Sequence, residues 1–220
     1  MKRYLVIAIT SAVFLSACGS KPVVVYRMSL RAPDAAKAMY LIEATERVML
    51  RRLAAAEVQG AQVSTLPVNS DSATLTMKLP NSAAAGTAER ILGETFTFDI
   101  RLEKPGANPD QLDTSEWQPT ALTGASLQWI QVIASSSTGE VGVELEFTPA
   151  GRGILESIFK GNKGKHVGIF VRDLLVSKLK IDSETVSDHI IISGIPSDRV
   201  AEIFADDVNV GLRVNFSPTH

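Results

Sequence analysis

Few side chains in this sequence have both the type and the spacing for chemistry. Cys18 is the only cysteine. His166, His189 and His220 lie far apart, and none is spaced with Cys, Asp or Glu as a metal ligand set requires. Ser135, Ser136 and Ser137 lack the G-x-S-x-G context that presents a hydrolytic serine, and read as turn residues. Gly151-Arg152-Gly153 lacks the third glycine of a dinucleotide loop. Asp206-Asp207 has no further acidic ligand nearby for a cation, and reads as a solvated helix end. Lys160, Lys163, Lys165 and His166 make a basic turn around Gly161 and Gly164. There each cation near an anionic surface contributes roughly 1 kcal/mol, although Lys, Gly and Asn are also ordinary turn residues. No cofactor, metal or small-molecule substrate is expected, and no enzymatic activity.

Cys18 closes an apolar run from Tyr4 to Leu15 that opens with Lys2 and Arg3. A basic start, an apolar centre and small residues before a cut are the parts of a secretory signal peptide. The run, about a dozen residues, is too short to cross a bilayer. Leu15-Ser16-Ala17-Cys18 resembles the lipobox of bacterial lipoproteins. The resemblance implies cleavage before Cys18 and acylation of both its sulfur and the new N-terminus. Two or more acyl chains anchor durably, whereas one holds only marginally. The expectation is a leader at residues 1–17, a lipidated tether at 18–22, and a body facing the periplasm of a bacterial envelope. Gly19, where an Asp often marks inner-membrane retention in that family, leans the assignment toward the outer membrane.

Composition narrows the partners. Lys+Arg total 22 against Asp+Glu 24, and removing the leader makes the body more acidic still. That balance argues against a nucleic-acid partner, whose phosphates need clustered bases. A hydrophobic content of 45% fits a folded chain with a real core. With the sole Cys acylated, burial rather than a disulfide holds it.

Two modules follow. Residues 23–104 read as βαββαβ, a ferredoxin-like base. A strand spans Val23 to Leu30 and a helix capped by Asp34 runs to Glu57. A short strand covers Gln62 to Leu66 and an alternating one Ala73 to Leu79. A helix capped by Asn81 or Ser82 runs to Leu92, and an alternating strand covers Phe96 to Leu102. Gly86 costs its helix about 1 kcal/mol relative to Ala. Residues 105–117 read as a linker. Residues 118–220 read as an α+β head. Its first strands, Leu127 to Ala134 and Val141 to Phe147, form a hairpin. A helix capped by Thr148 with Pro149 in its first turn follows, then strands at Val167 to Val171, Leu174 to Ile181 and His189 to Ser193. A helix starts at Ser197-Asp198 with a stripe of Val200, Ile203, Phe204 and Val208, and a strand from Val210 to Phe216 closes the chain.

Several of these segments resemble the first periplasmic domain of SecD, the membrane protein that assists protein export. VMLRRLAAAEVQGAQVSTL is similar to its Arg-bearing helix, turn and strand. LTMKLPNSAAAGTAERILGETFTFDIRL is similar to its strand, Leu-Pro turn, helix ending Ile-Leu-Gly and next strand. WQPTALTGASLQ, VELEFTPAGRGILESIF, GKHVGIFVRDLLVS and IIISGIPSDRVAEIFADDVNVG follow in the family's order, and GLRVNF stands at its closing strand. The chain departs in lacking the family's membrane-spanning segments and its early Gly-Gly, where YRMSLRAP stands instead. The resemblance implies an export domain detached from its proton-driven motor. Its head would receive exported, unfolded polypeptide on a sheet edge or in an apolar groove. Trp129, Ile169 and Phe170 are the candidate polypeptide-binding residues, each equally compatible with a core position. The other reading is an assembly subunit that binds one folded envelope partner.

Overall fold

The computed structural model describes residues 21–108, 114–134, 141–185, 187 and 189–219. Cys18, the leader, Ser135 to Ser137 and His220 lie outside them.

The first layer begins with β1 (Val23–Leu30), α1 (Ala35–Ala55), β2 (Gln62–Asn69), β3 (Ser72–Lys78) and α2 (Ser82–Gly93). Asp34 caps α1 by accepting from the Lys37 N–H at 2.8 Å, and Asn81 caps α2 through the Ala84 N–H at 2.9 Å. These bonds satisfy donors that the first helical turn leaves free. Along β3, Ala73, Leu75 and Met77 are buried. They pack with Leu41, Val48, Met49 and Leu53 of α1 and Ala88 and Ile91 of α2 in one core. Strand alternation and helical three-four spacing thus meet on a single buried layer.

The chain then continues through β4 (Phe98–Glu103), β5 (Trp117–Thr123), β6 (Leu127–Ala134), β7 (Val141–Phe147) and α3 (Pro149–Phe159). It ends with β8 (His166–Val171), β9 (Leu174–Lys180), β10 (His189–Ile192), α4 (Asp198–Arg213) and β11 (Val214–Pro218). Among the described residues the strands form three antiparallel sheets, ordered β11-β1-β3-β2, β5-β4-β8-β9 and β10-β7-β6. The α+β class and the ferredoxin-like strand order stand.

The partition at residue 104 does not. The fourth strand of the base sheet is β11, which pairs with β1 from Tyr26↔Pro218 to Leu30↔Val214. The strand expected there, β4, lies in the head between β5 and β8. Alternation of Phe98, Ile100 and Leu102 announces a strand with one buried face, but does not name the sheet that buries it. The head, residues 94–213, is therefore an insertion in the base. Residues 105–117 are not a domain linker, because β4 and β5 pair across them and Trp117 already belongs to β5. Pro119 is tolerated in β5 because that strand is an edge. The closing strand is also shorter than expected. Val210 and Leu212 belong to α4, and Val200 of the expected apolar stripe is 46% exposed.

Candidate functional site

Trp129, Ile169 and Phe170 are interior, at 4%, 0% and 0% exposure. Trp129 leaves the head on β6 to join the base core. Its ring meets Tyr40 edge-on at 5.6 Å, with the Lys37 ammonium and the Arg213 guanidinium over it at 5.2 and 5.6 Å. Phe170 packs edge-on to Trp117 at 5.7 Å, under the Arg101 guanidinium at 4.1 Å. All three side chains hold the fold; Ile169 and Phe170 are wholly interior, while Trp129, almost wholly buried, still lines a cleft with Lys37, Tyr40 and Gln131. Apolar residues in strands are signals of burial before they are signals of binding.

Asp206 reverses the other expectation. Its side chain is 2% exposed and sits where α4 crosses α1. Tyr40 Oη donates to it at 2.8 Å, Arg47 donates through Nε at 3.0 Å and a terminal nitrogen at 2.8 Å, and Arg51 donates at 3.2 Å. Burial opposes ionisation, but the bonds from Arg47, Tyr40 and Arg51 outweigh it and hold the carboxyl below its ordinary range. Burial and the bond to Asp206 raise the Tyr40 phenol. Asp207 lies 3.7 Å from Arg51 and 3.5 Å from Arg52. A cleft of about 640 Å³ opens beside this cluster along β6. Asn209 has already taken part of that strand's edge, donating to the Ile130 carbonyl at 2.7 Å and accepting from the Ile130 N–H at 3.2 Å. The cluster is a structural joint.

The surface best suited to hold an extended chain lies elsewhere in the head. Among the described residues, β9 and β10 each end a sheet. Between them runs a groove of about 370 Å³, lined by Val176 of β9, Ile192 of β10, Ile195 and Pro196 beyond it, and Val200 and Phe204 of α4. Exposure alternates along β9, leaving Leu174 71% and Val176 44% exposed. Ser197 caps α4 and Gly194, at φ +72°, turns the chain into it, so the loop forms one wall of the groove. The sequence marks β9 as a strand but not its place at the end of a sheet, which depends on where the other strands go.

The two described histidines have local partners. His166 Nδ1 lies 2.8 Å from Glu103 and His189 Nδ1 3.7 Å from Glu144. Among the described residues no three His, Cys, Asp or Glu side chains gather as a metal site, and no helix is long and apolar enough to cross a membrane.

No protein-family model matches the chain, and no curated protein does. Solved structures do. A structure of SecDF, described as a membrane component that enhances protein export, is 18% identical, with a TM-score of 0.50, over 90% of this chain and 99% of that one. SecDF in a super-membrane-facing form is 19% identical, TM-score 0.52, again over 90% of this chain. SecDF from Thermus thermophilus, described as translocon-associated, is 17% identical, TM-score 0.53, over the same share. The chain spans 29% and 30% of those last two. Its fold is that of a region of SecDF, as its motifs suggest.

Proposed function

We infer that this chain is a non-enzymatic, SecD-like protein of the bacterial envelope, anchored by lipid at Cys18, whose head binds exported or unfolded polypeptide during protein export. The observation that carries the reading is the apolar groove between β9 and β10, each the last strand of its sheet among the described residues. An unfolded client has free main-chain groups and exposed apolar side chains, and a strand edge beside an apolar channel complements both. The likeness to SecDF, described as enhancing protein export, supports the same role.

Titration with a reduced, denatured model protein tests it. Saturable binding of the unfolded form, none of the folded form, and weakening on Val176→Asp in the groove are expected. No binding at high micromolar concentration sinks the reading. The anchor has its own test: acyl labelling of the wild type that is lost in Cys18→Ser.

A second surface favours the assembly-subunit reading. Leu66 and Val68, near the end of β2 in the base sheet, are 68% and 62% exposed. Crosslinking in cells separates the readings: one stoichiometric partner supports assembly, and a spread of exported clients supports polypeptide binding.

A further inference from the structure

We propose that the seam between base and head binds an amphiphilic phosphate, a phosphate monoester on an alkyl chain. Arg31 and Arg213 hold the phosphate, and Phe96 and Leu212 run along the chain. The site goes beyond the polypeptide-binding reading and does not depend on it.

A cleft of about 630 Å³ opens in that seam, within the size range of small-molecule sites. Arg31 follows β1 and Arg213 ends α4. The Arg31 N–H donates to the Arg213 carbonyl at 2.9 Å, which sets the two residues side by side. Both line the cleft. Among the described residues neither guanidinium is ion-paired. Arg31 donates to the Leu212 carbonyl and Arg213 to the Leu127 carbonyl, and the buried Nε of Arg213 has no partner. A guanidinium carries five N–H donors, so one neutral carbonyl each leaves both charge and donors over. Burial and the charge of Arg31 pull the Arg213 guanidinium below its ordinary pKa, against Glu146, and Glu146 itself lies 3.8 Å from the Lys37 ammonium. The acids of the seam are taken, Asp99 by Arg101 and Glu94 by Arg90 and Arg172. The end of α4 supplies about half a negative charge against two positive ones. A phosphate monoester, at about −1.5 to −2 near pH 7, matches that surplus better than a carboxylate.

The rest of the lining decides what the phosphate is attached to. Phe96, Leu212 and Ala125 give the cleft an apolar wall, and a second cleft of about 410 Å³ shares Arg31, Phe96 and Leu212 with the first. Gly211 lets the Phe96 ring lie against α4, since a Cβ there would stand 2.3 Å from it. An alkyl chain can follow that wall from one cleft into the other. A polypeptide finds less to hold, because main-chain groups around the cleft are already bonded within the fold. The Leu212 and Arg213 carbonyls accept from Arg31, the Leu127 carbonyl from Arg213, and the Thr97 carbonyl from the Arg172 N–H. Asp99 of β4 is paired on both sides, with Thr123 and with Phe170. An alkyl chain needs no such groups, only apolar surface.

The probe is decyl phosphate, titrated by calorimetry below its micelle-forming concentration. The full chain carries Cys18→Ser, so that no acyl chain of its own competes. Inorganic phosphate keeps the head without the tail, and decyltrimethylammonium keeps the tail with the opposite charge. Decyl phosphate is expected to bind one to one, about tenfold tighter than either control, and to raise the melting temperature. Its affinity should fall as salt rises. Arg31 is the more exposed of the two arginines, so Arg31→Gln should melt like its parent without ligand. It should bind decyl phosphate about tenfold more weakly and lose the ligand-induced shift in melting. Equal affinity for inorganic phosphate or for decyltrimethylammonium overturns the proposal, as does binding that Arg31→Gln leaves untouched. No binding up to millimolar decyl phosphate leaves the two arginines as caps of α4 and overturns it too. An acidic, apolar peptide that binds tighter than decyl phosphate assigns the cleft to polypeptide, with the same consequence.

Discussion

Asp206 carries one negative charge among two guanidiniums and a phenol, yet is almost wholly buried. Burying a charge is costly, and the cost is met only while every partner stays in place. Asp206→Asn keeps the shape and removes the charge, leaving Arg47 and Arg51 facing each other. Both arginines keep some solvent, at 39% and 22% exposure, so the expected loss is moderate, about 2 kcal/mol at pH 7. The pH dependence has a definite sign. Asp206 is held below the ordinary carboxylate value, so its contribution is complete above about pH 4, where the unfolded chain's Asp is ionised. It disappears as pH falls through the lower, folded value. Urea melts of wild type and Asp206→Asn should differ at pH 7 and converge in acid. A gap that stays constant from pH 7 to pH 2 contradicts the assignment.

Two glycines in α3 show how one element answers its neighbours. Gly151 sits in the first turn, where the Thr148 side chain accepts its N–H at 3.1 Å and the Thr148 N–H donates to the Ser126 carbonyl at 2.9 Å. A Cβ on Gly151 would stand 2.4 Å from that same carbonyl oxygen, while a Cβ on Gly153 meets nothing within 4 Å. Gly151→Ala must push α3 away from the turn at Gly124–Ser126, and is expected to cost about 2 kcal/mol. Gly153→Ala should instead stabilise, by up to about 1 kcal/mol, because alanine suits a helix interior better. Thermal melts of the two variants should move in opposite directions. The sequence marks this element plainly: Thr148-Pro149 starts the helix and Gly161, at φ +99°, follows its end. The β6–β7 hairpin is as plain, because its two alternating runs are neighbours along the chain. Such signals are local. Sheet membership is not, so β4 and β11 could be recognised as strands without revealing that they exchange places. The burial of Asp206 is equally hidden, since its partners Tyr40, Arg47 and Arg51 come from a helix at the far end of the sequence. Beside Asp207 it reads as two exposed acids.

At the scale of the molecule, the exchange of β4 for β11 ties two modules into one. The base sheet cannot be completed until the chain has passed through the whole head and returned as β11. α4 leads into that strand and belongs to both cores, with Val208, Ala201 and Ala205 in the head's and Val210 in the base's. Trp129 crosses the other way, from the head into the base. Arg213 donates to the Leu127 carbonyl at 2.8 Å, and Asn209 holds Ile130 from the same helix, so β6 is fixed to α4 at two points. Separate lobes joined by a linker would melt independently, whereas shared elements make unfolding of one expose the core of the other. A single cooperative transition is therefore expected, with far-ultraviolet circular dichroism and tryptophan fluorescence coincident. Trp129 reports on the base and Trp117, which touches Phe170, on the head. Replacing Val214 with Asp should lower the midpoint seen by both probes together, because Val214 is 6% exposed in the base core and immediately follows α4. Two resolved transitions, or a Val214→Asp variant that shifts the Trp129 fluorescence and leaves that of Trp117 in place, would show that the head folds without the base despite the strand they share.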